Sequence, residues 1–295
     1  MNKLVIAIIG NGIVGKSIQH AFKDICDFRI YDTNPSICQN ALLETVTESD
    51  FIFLCVPTPM KQDGSFDSSI IDSVMDSITK YTEGTNKIII IKSTVIPGTT
   101  QKYIEKYSGC NIIFCPEFLR ENHYLEDAEN PSRIVFGIPN EWLEFHSNEK
   151  DEINKKLFVK LFHLYKNRFP DKEIYICNPT VAEMVKYTCN CFLATKVSFF
   201  NEIYQICEAL NIDYDDVAKL VLTDKRIGNS HYSVPGDDND FGWGKKCFPK
   251  DLNGLIKKAI ELGVSPTILL SAWEKNLSVR KDKDWLKIEG AISNE

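Results

Sequence analysis

Seven short apolar runs constrain the fold of this chain more than any other feature. They cover residues 4–9, 28–32, 51–56, 87–93, 111–116, 133–138 and 173–178, and segments of helical periodicity lie between them. The runs are apolar throughout instead of alternating with polar residues. Strands of that kind are buried on both faces, as in a parallel sheet covered by helices on both sides. Right-handed crossovers would join them. At 295 residues the chain has room for one large or two moderate domains.

The first run leads into GNGIVG, which puts Gly10, Gly12 and Gly15 between a strand and a helix. In that setting the first glycine permits the tight turn, the second lets a pyrophosphate reach the backbone, and the third lets helix and strand pack closely. The helix N-terminus supplies N–H donors for the phosphates. The expected class is therefore α/β, with an N-terminal Rossmann-type parallel sheet. Asp32 closes the second run, near the position of a carboxylate that holds ribose hydroxyls. A carboxylate there repels a 2′-phosphate and favours NAD over NADP.

Open α/β sheets bind ligands at the carboxyl ends of their strands. CVPTP, with Pro57 and Thr58, ends the third run, and KSTVIPGTT, with Thr94, ends the fourth. The two threonines are either hydroxyl donors to a cofactor or substrate, or formers of turns. CPEFLRE ends the fifth run and spaces Glu117 and Glu121 four residues apart, on one face if the segment is helical. Glutamates in such a place suit general acid–base work, although surface glutamates are common.

The texture changes after Asn178, a good N-cap followed by Pro179, a good first helical residue. A single helix is expected from there to residue 210, roughly 48 Å long at 1.5 Å per residue. It is apolar around most of its girth. Either it bridges two domains and packs against a second chain, or it is a central helix buried inside one chain. Further helices are expected at 211–224, from 249 to 258 and at 266–276. The resulting division is a nucleotide-binding domain at 1–178, a central helix with a small all-α second domain at 179–276, and a polar tail at 277–295.

A polar loop with four glycines and Arg226 leads to CFPKD. With Pro249 as first helical residue, Cys247 lies just outside a helix start, beside Lys246. The positive end of the helix dipole and the flanking ammonium groups favour thiolate over thiol there. Asp251 falls within one helical turn of the sulfur. Most cysteines are small buried hydrophobes, and that is the reading for the other nine. None of the cysteines is spaced for a zinc or redox pair, so no metal is expected, and scattered thiols suit a reducing cytosol. The net charge of −7 argues against a nucleic-acid partner. No apolar run reaches transmembrane length, so no membrane partner is expected.

Together GNGIVG, VPTP, KSTVIPGTT, PEFLRE, AEMVKYTCNCFLATKVSFFNEI, RIGNSHYSVPG and CFPKD resemble, in consistent order, the UDP-glucose/GDP-mannose dehydrogenase family, and most closely its UDP-glucose branch. The resemblance implies a four-electron oxidation of a sugar nucleotide's primary alcohol to a carboxylate, with two NAD⁺ reduced per turnover. It implies that Cys247 traps the aldehyde as a thiohemiacetal, later oxidised to a thioester. Asp251 is implied beside the reacting centre, with Lys186 and Asn190, one helical turn apart, at the developing oxyanion and the substrate. Thr94 and Glu117 are implied to work on the hydrolytic water, with Glu117 also touching substrate and Glu121 near the cofactor. Arg226 is implied to reach a sugar nucleotide held by the other subunit of a homodimer built on the central helix.

Two departures stand out. Family members usually carry glycines where this chain has Lys245 and Lys246, so those side chains must point away from the sugar or meet phosphate. The usual member also continues into a further nucleotide-covering domain; a short form lacking it is expected to bind the nucleotide weakly. Oxidation of GDP-mannose or a UDP-N-acetylhexosamine is the near alternative. A two-electron hydroxyacid dehydrogenase, with no use for Cys247, and a non-catalytic NAD- or nucleotide-sugar-binding protein are the more distant ones.

Overall fold

A computed structural model describes residues 3–143 and 149–293. In chain order its elements are β1 (Leu4–Ile9), α1 (Ile13–Phe22), β2 (Cys26–Tyr31), α2 (Leu42–Thr47), β3 (Phe51–Leu54), α3 (Ser69–Thr82), β4 (Ile88–Ile91), α4 (Thr99–Lys106) and β5 (Asn111–Phe114). There follow α5 (Tyr124–Glu129), β6 (Ile134–Gly137), α6 (Asn140–Leu143), α7 (Glu149–Arg168), β7 (Ile174–Cys177), α8 (Pro179–Leu210), α9 (Tyr214–Val221), α10 (Cys247–Glu261) and α11 (Thr267–Val279). The chain divides into two compact units, one of residues 1–58 and 68–186, the other of 59–67 and 187–295. Sequence texture placed the division at residue 178; it falls eight residues later, inside α8, because the first turns of that helix pack within the sheet unit.

In the first unit each apolar run becomes a strand, and the seven pair in the order β2-β1-β3-β4-β5-β6-β7. β2 through β5 are parallel, with Phe51 beside Ile6, Ile88 beside Phe51 and Asn111 beside Ile88. β6 departs from the expected all-parallel sheet: it runs antiparallel to β5, and β7 is parallel to β6. Burial does not reveal direction here, because β6 is buried along its whole length just as β3, β4 and β5 are. Only the β5–β6 connection sets the sense. Phe136 of β6 anchors the core, with edge-on contacts to Phe158 at 5.4 Å and Tyr165 at 5.0 Å.

The second unit is helical. α8 has the bounds its sequence predicted, since Asn178 caps it by accepting the Val181 amide at 2.8 Å. It stops where Asn211 adopts a left-handed φ of 56°. α9 is shorter than expected, because Asp213 starts it by accepting the Asp215 amide at 2.7 Å. α10 begins at Cys247 with Lys246 as N-cap, so the cysteine is the first helical residue and Pro249 the third. Among the described residues no helix is long and apolar enough to cross a membrane.

Residues 277–293 do not form the polar tail that composition suggested for 277–295. The first three complete α11, and Trp285 is 3 % exposed and packs with Met60 and Ala291. Its ring lies 5.5 Å from that of Trp273, itself 5.5 Å from Trp243. Polar residues around one large aromatic hide that anchor from a compositional reading. Trp285→Ala is expected to lower stability by about 3–5 kcal/mol, the usual cost of emptying a buried aromatic site. Urea denaturation measures it, and an unchanged midpoint would mean that the segment is dispensable.

Candidate active site

The glycine turn is built as its spacing requires. A Cβ on Gly10 would lie 2.6 Å from the Cys55 carbonyl oxygen, and one on Gly15 would lie 2.3 Å from the Gly10 oxygen. A Cβ on Gly12 would meet nothing within 4 Å. Gly12 is also the N-cap of α1 and offers no side chain to the helix, so the first amides face outward uncapped. Asp32, just past β2, accepts the Asn11 amide at 2.6 Å and the Asn34 amide at 2.8 Å, which ties its carboxylate to the glycine turn. Closed space under Gly10 and Gly15, open space over Gly12 and a carboxylate at the next strand end fit a dinucleotide.

The two threonines meet. Thr58 is buried and donates to the Thr94 carbonyl at 2.8 Å, so its hydroxyl braces the strand ends, next to the exposed Pro57. Glu117 and Glu121 do not share a helical face. Residues 115–120 are not helical, and Glu121 opens a separate 3₁₀ turn in an exposed position.

Glu117 instead accepts from the Lys186 ammonium at 2.7 Å and from the Leu119 amide at 2.7 Å. Both side chains of the pair are largely buried, 5 % exposed for Lys186 and 13 % for Glu117. Burial pushes the Glu117 carboxyl up, but the Lys186 ammonium, the Leu119 amide and the charge of Lys92 together hold it below the usual carboxylate range. Removing either partner would leave a buried charge uncompensated. Lys92 escaped the sequence reading. It is 6 % exposed and donates to the Pro116 carbonyl at 3.1 Å and to Cys115 Sγ at 3.4 Å. The available signal was a lysine directly after four isoleucines, where burial is forced.

Glu183, one turn before Lys186, also escaped. Its fully buried carboxylate accepts the amides of Gly98 at 2.6 Å and Thr100 at 2.7 Å, capping α4 from outside. Burial, only partly offset by hydrogen bonds from Thr100 and Gly98, pushes its carboxyl up to about 7.

In the second unit Asp251 is 1 % exposed, and its carboxylate accepts Asn190 Nδ2 at 2.6 Å and the Lys250 ammonium at 2.5 Å. Lys250, within CFPKD, thus neutralises the buried aspartate. Cys247 is the exposed one of ten thiols, one helical turn before Asp251. Among the others burial raises Cys26 to about 11 and Cys55 to about 12, so these stay protonated and inert. Arg226 is paired with Asp224 two residues away, and its guanidinium side chain is 89 % exposed. Lys196 holds the neighbouring carbonyls of Ile227 and Gly228, each at 2.9 Å. Among the described residues no three His, Cys, Asp or Glu side chains cluster as a metal site requires.

The first unit thus carries a dinucleotide turn and a buried ammonium–carboxylate pair, and the second carries an exposed thiol at a helix start and another such pair. Residues 36–160 match the NAD-binding domain of the UDP-glucose/GDP-mannose dehydrogenase family, and residues 180–278 match its central domain. The chain belongs to that family, and NAD is its cofactor. UDP-glucose 6-dehydrogenase of Rickettsia bellii is 34 % identical over 223 residues, 72 % of this chain and 46 % of that protein. GDP-mannose 6-dehydrogenase of Pseudomonas savastanoi pv. phaseolicola is 33 % identical over 248 residues, 80 % of this chain and 52 % of that protein. A solved UDP-glucose dehydrogenase from Pyrobaculum islandicum superposes with a TM-score of 0.81 at 27 % identity, covering 94 % of this chain and 68 % of that one. The chain spans about half the length of the curated relatives it matches.

Two outcomes check this geometry. Gly12→Ala should weaken NAD⁺ binding by about tenfold, close to 1.4 kcal/mol, with little change in stability. Gly15→Ala should instead destabilise the fold by about 1–3 kcal/mol, because its new methyl group collides with backbone; calorimetric titration and urea curves separate the two. Glu183 binds its proton more tightly folded than unfolded, so its stabilisation is complete below the ordinary value of 4.5 and is lost as pH rises through about 7. Relative to Glu183→Gln, the wild type should therefore lose roughly 2–3 kcal/mol between pH 5 and 8. A pH-independent difference between the two proteins would refute that burial effect.

Proposed function

We propose that this chain oxidises UDP-glucose to UDP-glucuronate, with Cys247 as nucleophile. The observation that carries the reading is the first turn of α10. The exposed Cys247 thiol opens the helix, and the buried Asp251 carboxylate lies one turn on, held by Asn190 and Lys250. A thiol at a helix start is favoured as thiolate, and a thiolate both adds to a carbonyl and leaves from a thioester.

NAD⁺, when bound, would supply the hydride acceptor for each of two oxidations, so that alcohol, two NAD⁺ and one water give acid, two NADH and two protons. Gly10, Gly12 and Gly15 would hold its pyrophosphate, and Asp32 its ribose, with Pro57, Thr58, Thr94 and Glu121 flanking it. After the first oxidation the Cys247 sulfur bonds to the aldehyde carbon, and the Lys186 ammonium donates to the oxygen that becomes negative. Asn190, four residues on along α8, supplies a second donor. The resulting thiohemiacetal loses its hydrogen in the second oxidation and becomes a thioester. Glu117, ionised through its pairing with Lys186, accepts a proton from the attacking water beside Thr94. The carbon–sulfur bond then breaks and Cys247 is restored as thiolate.

The exposed guanidinium of Arg226 suits a phosphate of the sugar nucleotide. A homodimer through α8 is part of the reading, since Phe192, Phe199 and Ile206 recur every seven residues at 63 %, 57 % and 48 % exposure. A stripe of that size on a helix calls for a partner surface. Ten thiols suit the cytosol. The similarity to a GDP-mannose 6-dehydrogenase at 33 % identity favours a second reading in which the same four-electron chemistry acts on another nucleotide sugar.

A panel of UDP-glucose, GDP-mannose and UDP-N-acetylmannosamine with NAD⁺ tests the proposal. UDP-glucose should give the highest kcat/KM, with two NADH per acid. One NADH per product would overturn the mechanism. Cys247→Ser should cut acid formation by roughly a thousandfold or more while NAD⁺ affinity is retained.

A further inference from the structure

The loop that delivers Cys247 to α10 is held residue by residue. The Gly242 amide donates to Asn201 Oδ1 at 3.0 Å. Trp243 donates its amide to Asn276 Oδ1 at 2.7 Å and accepts Asn276 Nδ2 at 3.0 Å, and Asn276 is fully buried. Gly244 packs so closely that a Cβ there would lie 2.2 Å from Asp284 Oδ1 and 2.5 Å from Arg280 Nη2. The Lys245 amide donates to both carboxylate oxygens of Asp284, each at 3.0 Å.

Lys245 has φ 61°, the left-handed region in which a side chain is strained and glycine is at ease. Such a conformation persists only where its surroundings over-determine it. Asp284 does so here, and is itself fixed. Arg280, with its side chain 3 % exposed, approaches Asp284 at 3.4 Å and Asp238 at 2.7 Å and donates to the Asp282 carbonyl at 2.9 Å. Asp240 closes the far side by accepting the amides of Phe241 at 2.8 Å and Asp282 at 2.9 Å.

We propose that Asn276, Arg280 and Asp284 form a latch that holds residues 242–246 in the one conformation that presents Cys247 at the start of α10, with Asp284 imposing at Lys245 the backbone shape a glycine would adopt unaided. These are positioning residues. The inference rests on the nucleophilic role proposed for Cys247. It extends that role to a segment whose composition reads as a polar tail. Losing the latch relaxes Lys245, frays the first turn of α10 and strips the sulfur of the helix N-terminus that favours its reactive form.

The test uses the full chain and no sugar substrate, so it succeeds or fails independently of the proposed reaction. The rate of Cys247 alkylation by iodoacetamide at pH 7 is read by peptide mass spectrometry, alongside the urea midpoint. Asp284→Ala should slow alkylation at least about threefold. Lys245→Gly alone should leave the rate within about twofold of wild type, and the double variant should recover to that level, because glycine needs no anchor in a left-handed turn. If Asp284→Ala does not fold, Asp284→Asn, which keeps one acceptor oxygen, is read in the same way. An unchanged or faster rate in the Asp284 variant, or a double variant as slow as the single one, would overturn the latch, and a lower urea midpoint with an unaltered rate would reduce it to a purely structural contact.

Discussion

Polar groups on the buried face of α8 have to be satisfied, and the molecule is arranged around that demand. Glu183, Lys186 and Asn190, at steps of three and four residues, and Asn201, eleven residues further on, return to one helical face, and Ser198 lies beside it. Burial of such groups without partners costs several kcal/mol each on transfer scales, about 2–7 for a neutral polar group. Each has its partner: the amides that open α4 for Glu183, the Glu117 carboxylate for Lys186, Asp251 for Asn190 and the Gly242 amide for Asn201. Ser198 donates to the Ala272 carbonyl and accepts from the Trp243 indole. These bonds fix the segments that carry the candidate chemistry. The opposite side of the helix exposes Phe192 and Phe199, so its polarity is inverted relative to an ordinary surface helix.

Glu117, Glu183 and Asp251 differ in what surrounds them. Glu117 meets cations and is held ionised, whereas Glu183 meets only backbone amides and hydroxyl and is pushed toward its neutral form. Two glutamates in one unit thus carry opposite perturbations, set by whether the compensating groups bear full or partial charges. Asp251, between an amide side chain and an ammonium, is the counterpart in the second unit.

Much of the fold was legible because it depends on local pattern. Continuous apolar runs mark strands wherever both faces are covered, and Asn178–Pro179 marks the start of α8. The glycine spacing of 10–15 marks the phosphate turn, since steric limits at Gly10 and Gly15 are set by atoms a few residues or one strand away. The pairing of Lys186 with Glu117 joins residues 69 apart in sequence, and no periodicity encodes it; only a family resemblance suggested the two belonged together. Glu183 and Lys250 were invisible because a buried charge and a solvated one look alike until their surroundings are known, whereas Lys92 directly follows four isoleucines and carried a signal of burial.

From sequence alone came the element types, the helix limits of α8 and the dinucleotide turn, all governed by interactions within a turn or along a strand. Tertiary structure alone decided the antiparallel sense of β6, the start of α10 at Cys247, the burial of Trp285 and the hold of Asp284 on Lys245. Those outcomes depend on which distant segment arrives beside a given backbone group. The sequence records that a polar group must be satisfied, but not by whom.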